Sequence, residues 1–111
     1  MGGGAPAHRG RGLSFAVTFR PQALAEARAA RQWYDDQRVG LGQDFEREVA
    51  RVVELLAQTP LLFPVAHGAT RRATVRRFPY GLFFQVLGTE VVVLACYHLR
   101  RRPRRWGRVS R

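Results

Sequence analysis

His98 ends an apolar run, "VVVLACYH", and is followed by Arg100, Arg101, Arg102, Arg104 and Arg105, with a proline among them and Trp106 after them. An imidazole exchanges a proton near neutral pH, and guanidinium groups hold phosphate or carboxylate through a planar fork. These residue types suit work on a polyanion. Cleavage of RNA by its own 2′-hydroxyl needs a base, an acid, and cations for the charge that develops on the phosphorane. His98 can be the base or the acid, and Arg76, Arg77 or Arg100 the cations. A second proton-transfer group is harder to find. Glu90 starts the same run, about 25 Å from His98 at the rise of a strand. Tyr97 points to the opposite face from its neighbour His98, and nothing singles out Tyr80. His98 therefore has two readings: a proton-transfer group, or a histidine hydrogen-bonded at a strand end while the arginines carry the function. The missing second group favours the latter.

The charge distribution points to an acidic partner. The chain has a net charge of +11, and all 19 of its basic residues are arginine. Arginine stays protonated, so it can bind anions but cannot serve as the neutral general base that a buried lysine becomes. Residues 1–20 hold three arginines and no acid; residues 21–64 hold five arginines against seven acids; residues 65–111 hold eleven arginines against Glu90 alone. That last segment, at +10, repels itself unless nucleic acid or an acidic polypeptide meets it. If the strands carrying them are neighbours, Arg71, Arg72, Arg76 and Arg77 join the arginines after His98 in one positive surface.

Other chemistries find no support in the sequence. The histidines, His8, His67 and His98, lie in separate segments, and no metal-ligand spacing occurs, so no metal and no cofactor is expected. "GLG" at 40–42 lies between two helical segments and reads as a turn. Ser14 and Ser110 fall in the first strand and the tail and make no triad. Asp35 and Asp36 read as solvated charges beside Arg31 and Arg38 rather than an acid pair, and Trp33 and Tyr34 as packing residues. Cys96, within "VVVLACY", reads as a buried small hydrophobe; a single cysteine fits a reducing cytoplasm. No apolar run is long enough to span a bilayer.

The elements that position these residues can be read from periodicity. Residues 1–12 form an expected disordered tail, and one domain is expected over 13–108. "LSFAVTF" (13–19) predicts a strand. Pro21 opens a helix to about Arg38 whose core face is Ala23, Ala27, Ala30 and Tyr34. A second helix over 43–58 carries Phe45, Val49, Val52 and Leu56 inward, with Asp44, Glu46 and Glu48 near its positive end. Thr59-Pro60 closes it. Arg71 to Phe78 predicts a strand, Pro79-Tyr80-Gly81 a turn, and Leu82 to Leu87 the next strand. Gly88-Thr89 fits a tight hairpin, and Glu90 to Tyr97, apolar on both faces, predicts a central strand. The order is β-α-α-β-β-β: an α+β domain with a helical hairpin on one face of a small, mainly antiparallel sheet.

In that order and spacing, "FRPQALAEARAARQWYDDQRVGLGQDFEREV", "RRFPYGLFFQV" and "VVVLACYHLRRRPRRW" resemble the RelE/ParE toxin superfamily of bacterial type II toxin–antitoxin systems, in particular the ParE-like, plasmid-stabilisation branch. The resemblance spans residues 14–108. Its most specific parts are Trp33-Tyr34 before the glycine-rich turn, Phe78-Pro79-Tyr80, and a histidine-x-arginine-arginine near the end. It implies a cytoplasmic toxin neutralised by an antitoxin that wraps its surface. RelE-like members cut messenger RNA on the ribosome with basic residues, often lysines, and a C-terminal tyrosine or histidine. ParE-like members poison DNA gyrase without known nuclease chemistry. The absence of lysine and of a well-placed carboxylate favours the ParE-like alternative over the mRNA interferase. A non-toxic module that binds antitoxin or nucleic acid is the third alternative. The surface expected to meet target or antitoxin comprises Arg71, Arg76, Arg77, Tyr80, His98, Arg100, Arg101 and Trp106.

Overall fold

The structure, a computed structural model, describes residues 14–100. The expected N-terminal tail, Leu13 at the start of the expected first strand, and Arg101, Arg102, Arg104, Arg105 and Trp106 lie outside the described residues. In chain order the elements are β1 (Ala16–Phe19), α1 (Pro21–Gln37), α2 (Leu41–Gln58), a single 3-10 turn (Pro60–Leu62), β2 (Val65–His67), β3 (Thr70–Thr74), β4 (Tyr80–Leu87) and β5 (Glu90–His98). The strands form one sheet in the order β1-β5-β4-β3-β2. β1 runs parallel to β5 and the other pairs are antiparallel. This is the α+β architecture read from the sequence, with β2 added as a short exposed edge strand. Three residues are too few to carry a periodic signal.

Pro21 sits in the first turn of α1, where its missing N–H costs nothing. Ala23, Ala30 and Tyr34 are buried along one face, with Ala27 packed against the core beside them. The small alanines let α1 lie close to β5, and Tyr34 fills the space at the far end. Its ring lies 5.4 Å from Phe45 and 4.8 Å from Phe78, centroid to centroid. Trp33 does not share that role: it is 56% exposed, so the packing function expected of the Trp-Tyr pair belongs to Tyr34 alone.

The two helices meet at Gly42, which is buried where a Cβ would collide with the carbonyl oxygen of Arg31. Asp35 Oδ1 accepts hydrogen bonds from the backbone N–H of Gly40 (3.0 Å) and of Gly42 (3.1 Å). The sequence reading of Asp35 as a solvated charge is thereby corrected: it satisfies two donors at the start of α2 that the helix itself cannot. Phe45, Val52 and Leu56 of α2 are buried and Val49 is partly so. Glu48 lies among them at 6% exposure, its Oε1 taking Nε of Arg51 at 3.2 Å.

β5 is the interior strand that its two-sided apolarity predicts. Its pairing with β4 shifts at Leu94, since Phe84 faces Val93 while Phe83 faces Ala95. One extra residue reverses the alternation of side chains. Val91 and Val93 face the helices before the bulge and Cys96 does so after it, opposite Leu82. Gly88, at φ 63°, supplies the hairpin that sets Leu87 opposite Glu90.

Two boundaries differ from expectation. The strand expected over 71–78 ends at Thr74, and Tyr80 and Gly81, expected in a turn, are paired residues of β4. The connection is a loop closed by Val75 N–H on the Tyr80 carbonyl (2.8 Å), with Arg77 at φ 74°. A Cβ at Gly81 would lie 3.0 Å from the end of the Leu99 side chain, which would have to give by a few tenths of an ångström.

Candidate target- and partner-binding surface

The arginines expected on one strand fall into two groups. Arg71 is on β3, and its Nη1 donates to the carbonyl of Phe63 at 2.6 Å and of Leu61 at 3.4 Å. These carbonyls belong to the 3-10 turn and the residue after it, so Arg71 ties that segment to the sheet. Arg76 and Arg77 lie in the loop before β4, at the end of the sheet where β5 finishes. β3 and β5 are not neighbours, because β4 runs between them. The positive surface arises instead at the sheet end. Tyr80 pairs with His98 in register, and Leu99 N–H donates to the Pro79 carbonyl at 2.8 Å, which brings Arg100 beside the loop.

Acids from α2 reach the same end. Arg76 Nε is 4.0 Å from Glu48 Oε1, and Arg77 Nη2 is 3.8 Å from Asp44 Oδ2. Both arginine side chains are at least half exposed, 66% and 50% respectively. The Arg77–Asp44 contact is a loose surface pair of the kind that contributes about 0–1 kcal/mol, whereas the buried Glu48 is held also by Arg51. Arg77 also lies 5.5 Å over the Phe78 ring.

His98 Nδ1 accepts the Arg100 backbone N–H at 3.1 Å, which places any ring proton of the neutral form on Nε2. Its ring meets Tyr80 edge-on at 5.1 Å. Both residues line a cleft of about 360 Å³ between α1 and β5, together with Glu26, Ala30, Trp33 and Cys96. Glu26 is the one carboxylate in that lining, and the sequence did not single it out. A glutamate in "LAEARAA" reads as an ordinary solvated helix charge, and no local signal marks it. In the fold its Oε1 accepts the Cys96 backbone N–H at 2.9 Å and its Oε2 the Gln22 amide at 3.2 Å. Burial, and then the negative charge of Glu26, push the Cys96 thiol from 9.0 up to about 12, so it stays protonated and unreactive.

Among the described residues no group of histidine, cysteine and acidic side chains could hold a metal, and no helix is long and apolar enough to cross a membrane. Next to the cationic sheet end, the acid of this cleft accepts hydrogen bonds from two neutral donors.

No protein-family model matches the sequence, and no curated protein does. Among solved structures, a chain of the chromosomal ParDE TA system from P. aeruginosa matches with a TM-score of 0.69, over 80% of this chain and 100% of that one, at 17% identity. The fold is ParE-like. At that identity the likeness is one of backbone: a helical hairpin on a sheet whose last strand runs through its interior. The ParE-like frame sets Arg76, Arg77, Tyr80, His98 and Arg100 at one end of the sheet and Arg71 apart from them. Arg101 and Trp106, also expected in the surface, lie outside the described residues.

Proposed function

We propose that this chain is the toxin of a type II toxin–antitoxin pair, of the ParE-like kind, which acts on DNA gyrase and is neutralised by an acidic cognate antitoxin. The observation that carries the reading is the conjunction of the ParE-like fold with a cationic sheet end whose arginines are only loosely paired. Such a surface binds an acidic protein or a nucleic acid through charge-assisted forks. One observation favours a second reading, cleavage of ribosome-bound messenger RNA: Glu26, Tyr80 and His98 share a cleft. Against it, both Glu26 oxygens already accept hydrogen bonds, and His98 Nδ1 is taken by the Arg100 backbone.

The deciding experiment compares two variants, Arg76→Glu/Arg77→Glu and His98→Ala, both checked for folding by circular dichroism. Growth arrest on induction, gyrase supercoiling and cleavage of ribosome-bound messenger RNA are measured for each. The expected pattern is inhibition of supercoiling by the wild type, loss of it on charge reversal, and near-wild-type toxicity of His98→Ala. A nuclease would instead lose about a hundredfold or more in rate on removal of its proton-transfer group. Messenger RNA cuts that vanish in folded His98→Ala would replace the gyrase reading with the nuclease one.

A further inference from the structure

The N-terminal half of α2 and the loop before β4 bring four arginines together around two acids. Asp44, Arg47, Glu48 and Arg51 recur at three- and four-residue spacing, so they share one face of α2. Arg47 Nη2 meets Asp44 Oδ1 at 3.2 Å, and Arg77 approaches the other oxygen of the same carboxylate. Arg51 and Arg76 both point at one oxygen, Oε1 of the buried Glu48. Each acid thus serves two arginines, and the pair holds the guanidinium groups of helix and loop side by side. Arg47 and Arg51 are 65% and 55% exposed, as open to solvent as Arg76 and Arg77. A guanidinium carries five N–H donors in a planar fork, and Arg47 and Arg51 each spend one on these acids. The other donors can take an anion while Asp44 and Glu48 stay in place. Glu54, an exposed acid one turn beyond Arg51, bounds the surface.

The surroundings decide which anion. Protein interfaces centre on buried apolar and aromatic side chains, whereas nucleic-acid interfaces are more polar and strongly positive. Among the described residues, the helix face from Asp44 to Arg51 and the loop at 74–77 expose no large apolar side chain. The exposed ones begin with Leu55, a turn further along α2, and continue with Leu61, Leu62 and Val65 after the helix ends. Asp44 and Glu48 leave two of the four positive charges in excess, and all eight acidic residues of the chain lie within the described residues. We propose that Arg47 and Arg51 of α2, with Arg76 and Arg77 of the loop, bind the phosphodiester backbone of nucleic acid without regard to base sequence. Contacts of forked arginines with phosphate supply affinity and position but read no sequence. The proposal shares Arg76 and Arg77 with the proposed function but does not rest on it, since it names a ligand of the free chain.

The test measures binding of the full chain, by fluorescence anisotropy over a range of salt. The probes are a short DNA duplex of mixed sequence, a single-stranded RNA and a polyglutamate peptide of matched charge. Two double variants are compared with the wild type. Arg47→Gln/Arg77→Gln alters the surface and leaves the Arg51–Glu48 pair intact, so the buried acid keeps its partner. Arg28→Gln/Arg38→Gln removes the same charge from two exposed positions on and just after α1. Circular dichroism checks each fold, and Arg47→Gln alone serves where the double variant folds poorly. The wild type is expected to bind both nucleic acids with a steep dependence on salt, and polyglutamate more weakly. Each lost phosphate contact lowers the slope of log dissociation constant against log salt by about one. The surface variant is therefore expected to lose about two from the slope and to bind about tenfold more weakly, with the control near wild type. The tighter of the two nucleic acids identifies the source of the backbone. Equal slopes for surface and control variants overturn the proposal, because the charge then acts diffusely. Polyglutamate bound as tightly as the duplex also overturns it, in favour of an acidic protein on this face. A wild type that binds neither nucleic acid overturns it and leaves the toxin reading, tested by growth arrest and supercoiling, standing.

Discussion

The absence of lysine makes the alkaline stability of this chain a clean probe of one buried group. Between pH 8 and 10 the side chains that change charge are Cys96 and the three tyrosines, because arginine does not titrate there. In the fold the Cys96 thiol is pushed from 9.0 up to about 12, by burial first and by Glu26 second. A folded pKa above the unfolded one means stability that is complete below pH 9 and is lost as pH rises from there toward 12. The unfolded thiol ionises and gains free energy that the folded thiol cannot. At pH 10 that linkage removes about 1 kcal/mol, toward a limit of about 4 kcal/mol. Urea unfolding of the wild type and of Cys96→Ala at pH 8, 9 and 10 measures it. Cys96→Ala is less stable at pH 8, since it empties buried space. The gap between the two is expected to close by about 1 kcal/mol at pH 10. Tyr34 is raised by burial as well, but it is present in both proteins and cancels. Stability curves that stay parallel from pH 8 to 10 would refute the claim that the cleft floor holds Cys96 as a neutral thiol.

Two further predictions concern the helical hairpin that forms the cleft's other wall. Gly42→Ala drives a methyl group into the Arg31 carbonyl and is expected to cost about 1–3 kcal/mol; a melting temperature equal to wild type would show that the helices separate without penalty. Asp35→Ala removes the acceptor for the Gly40 and Gly42 N–H groups and is expected to cost about 1–2 kcal/mol in denaturant unfolding, with Asp35→Asn costing less because it keeps an oxygen.

The helices were legible in the sequence because burial repeats with the helical period: Ala23, Ala30 and Tyr34 in one, Phe45, Val52 and Leu56 in the other. The hairpin at Gly88 and the central strand were legible for equally local reasons. The β3–β4 connection was not. Arg77 holds a left-handed conformation without being glycine, so composition gave no sign of the turn where it occurs. Pro79 and Gly81 drew it two or three residues too late. The tight approach of the Leu99 side chain to Gly81 comes from 18 positions along the chain, and no window of local sequence contains it.

The site illustrates the same limit on a larger scale. An acidic partner for the arginines after residue 70 is an expectation drawn from counting charges. Their grouping follows only from the fold, which commits Arg71 to the carbonyls of Leu61 and Phe63 and gathers Arg76, Arg77 and Arg100 at the sheet end. Asp44 and Glu48 of α2 sit 3.8 and 4.0 Å from two of these arginines, so part of the negative balance of the helical segment faces the positive surface. Among the described residues Glu26 is engaged by two neutral donors, the Cys96 N–H and the Gln22 amide, where β1 no longer runs beside β5.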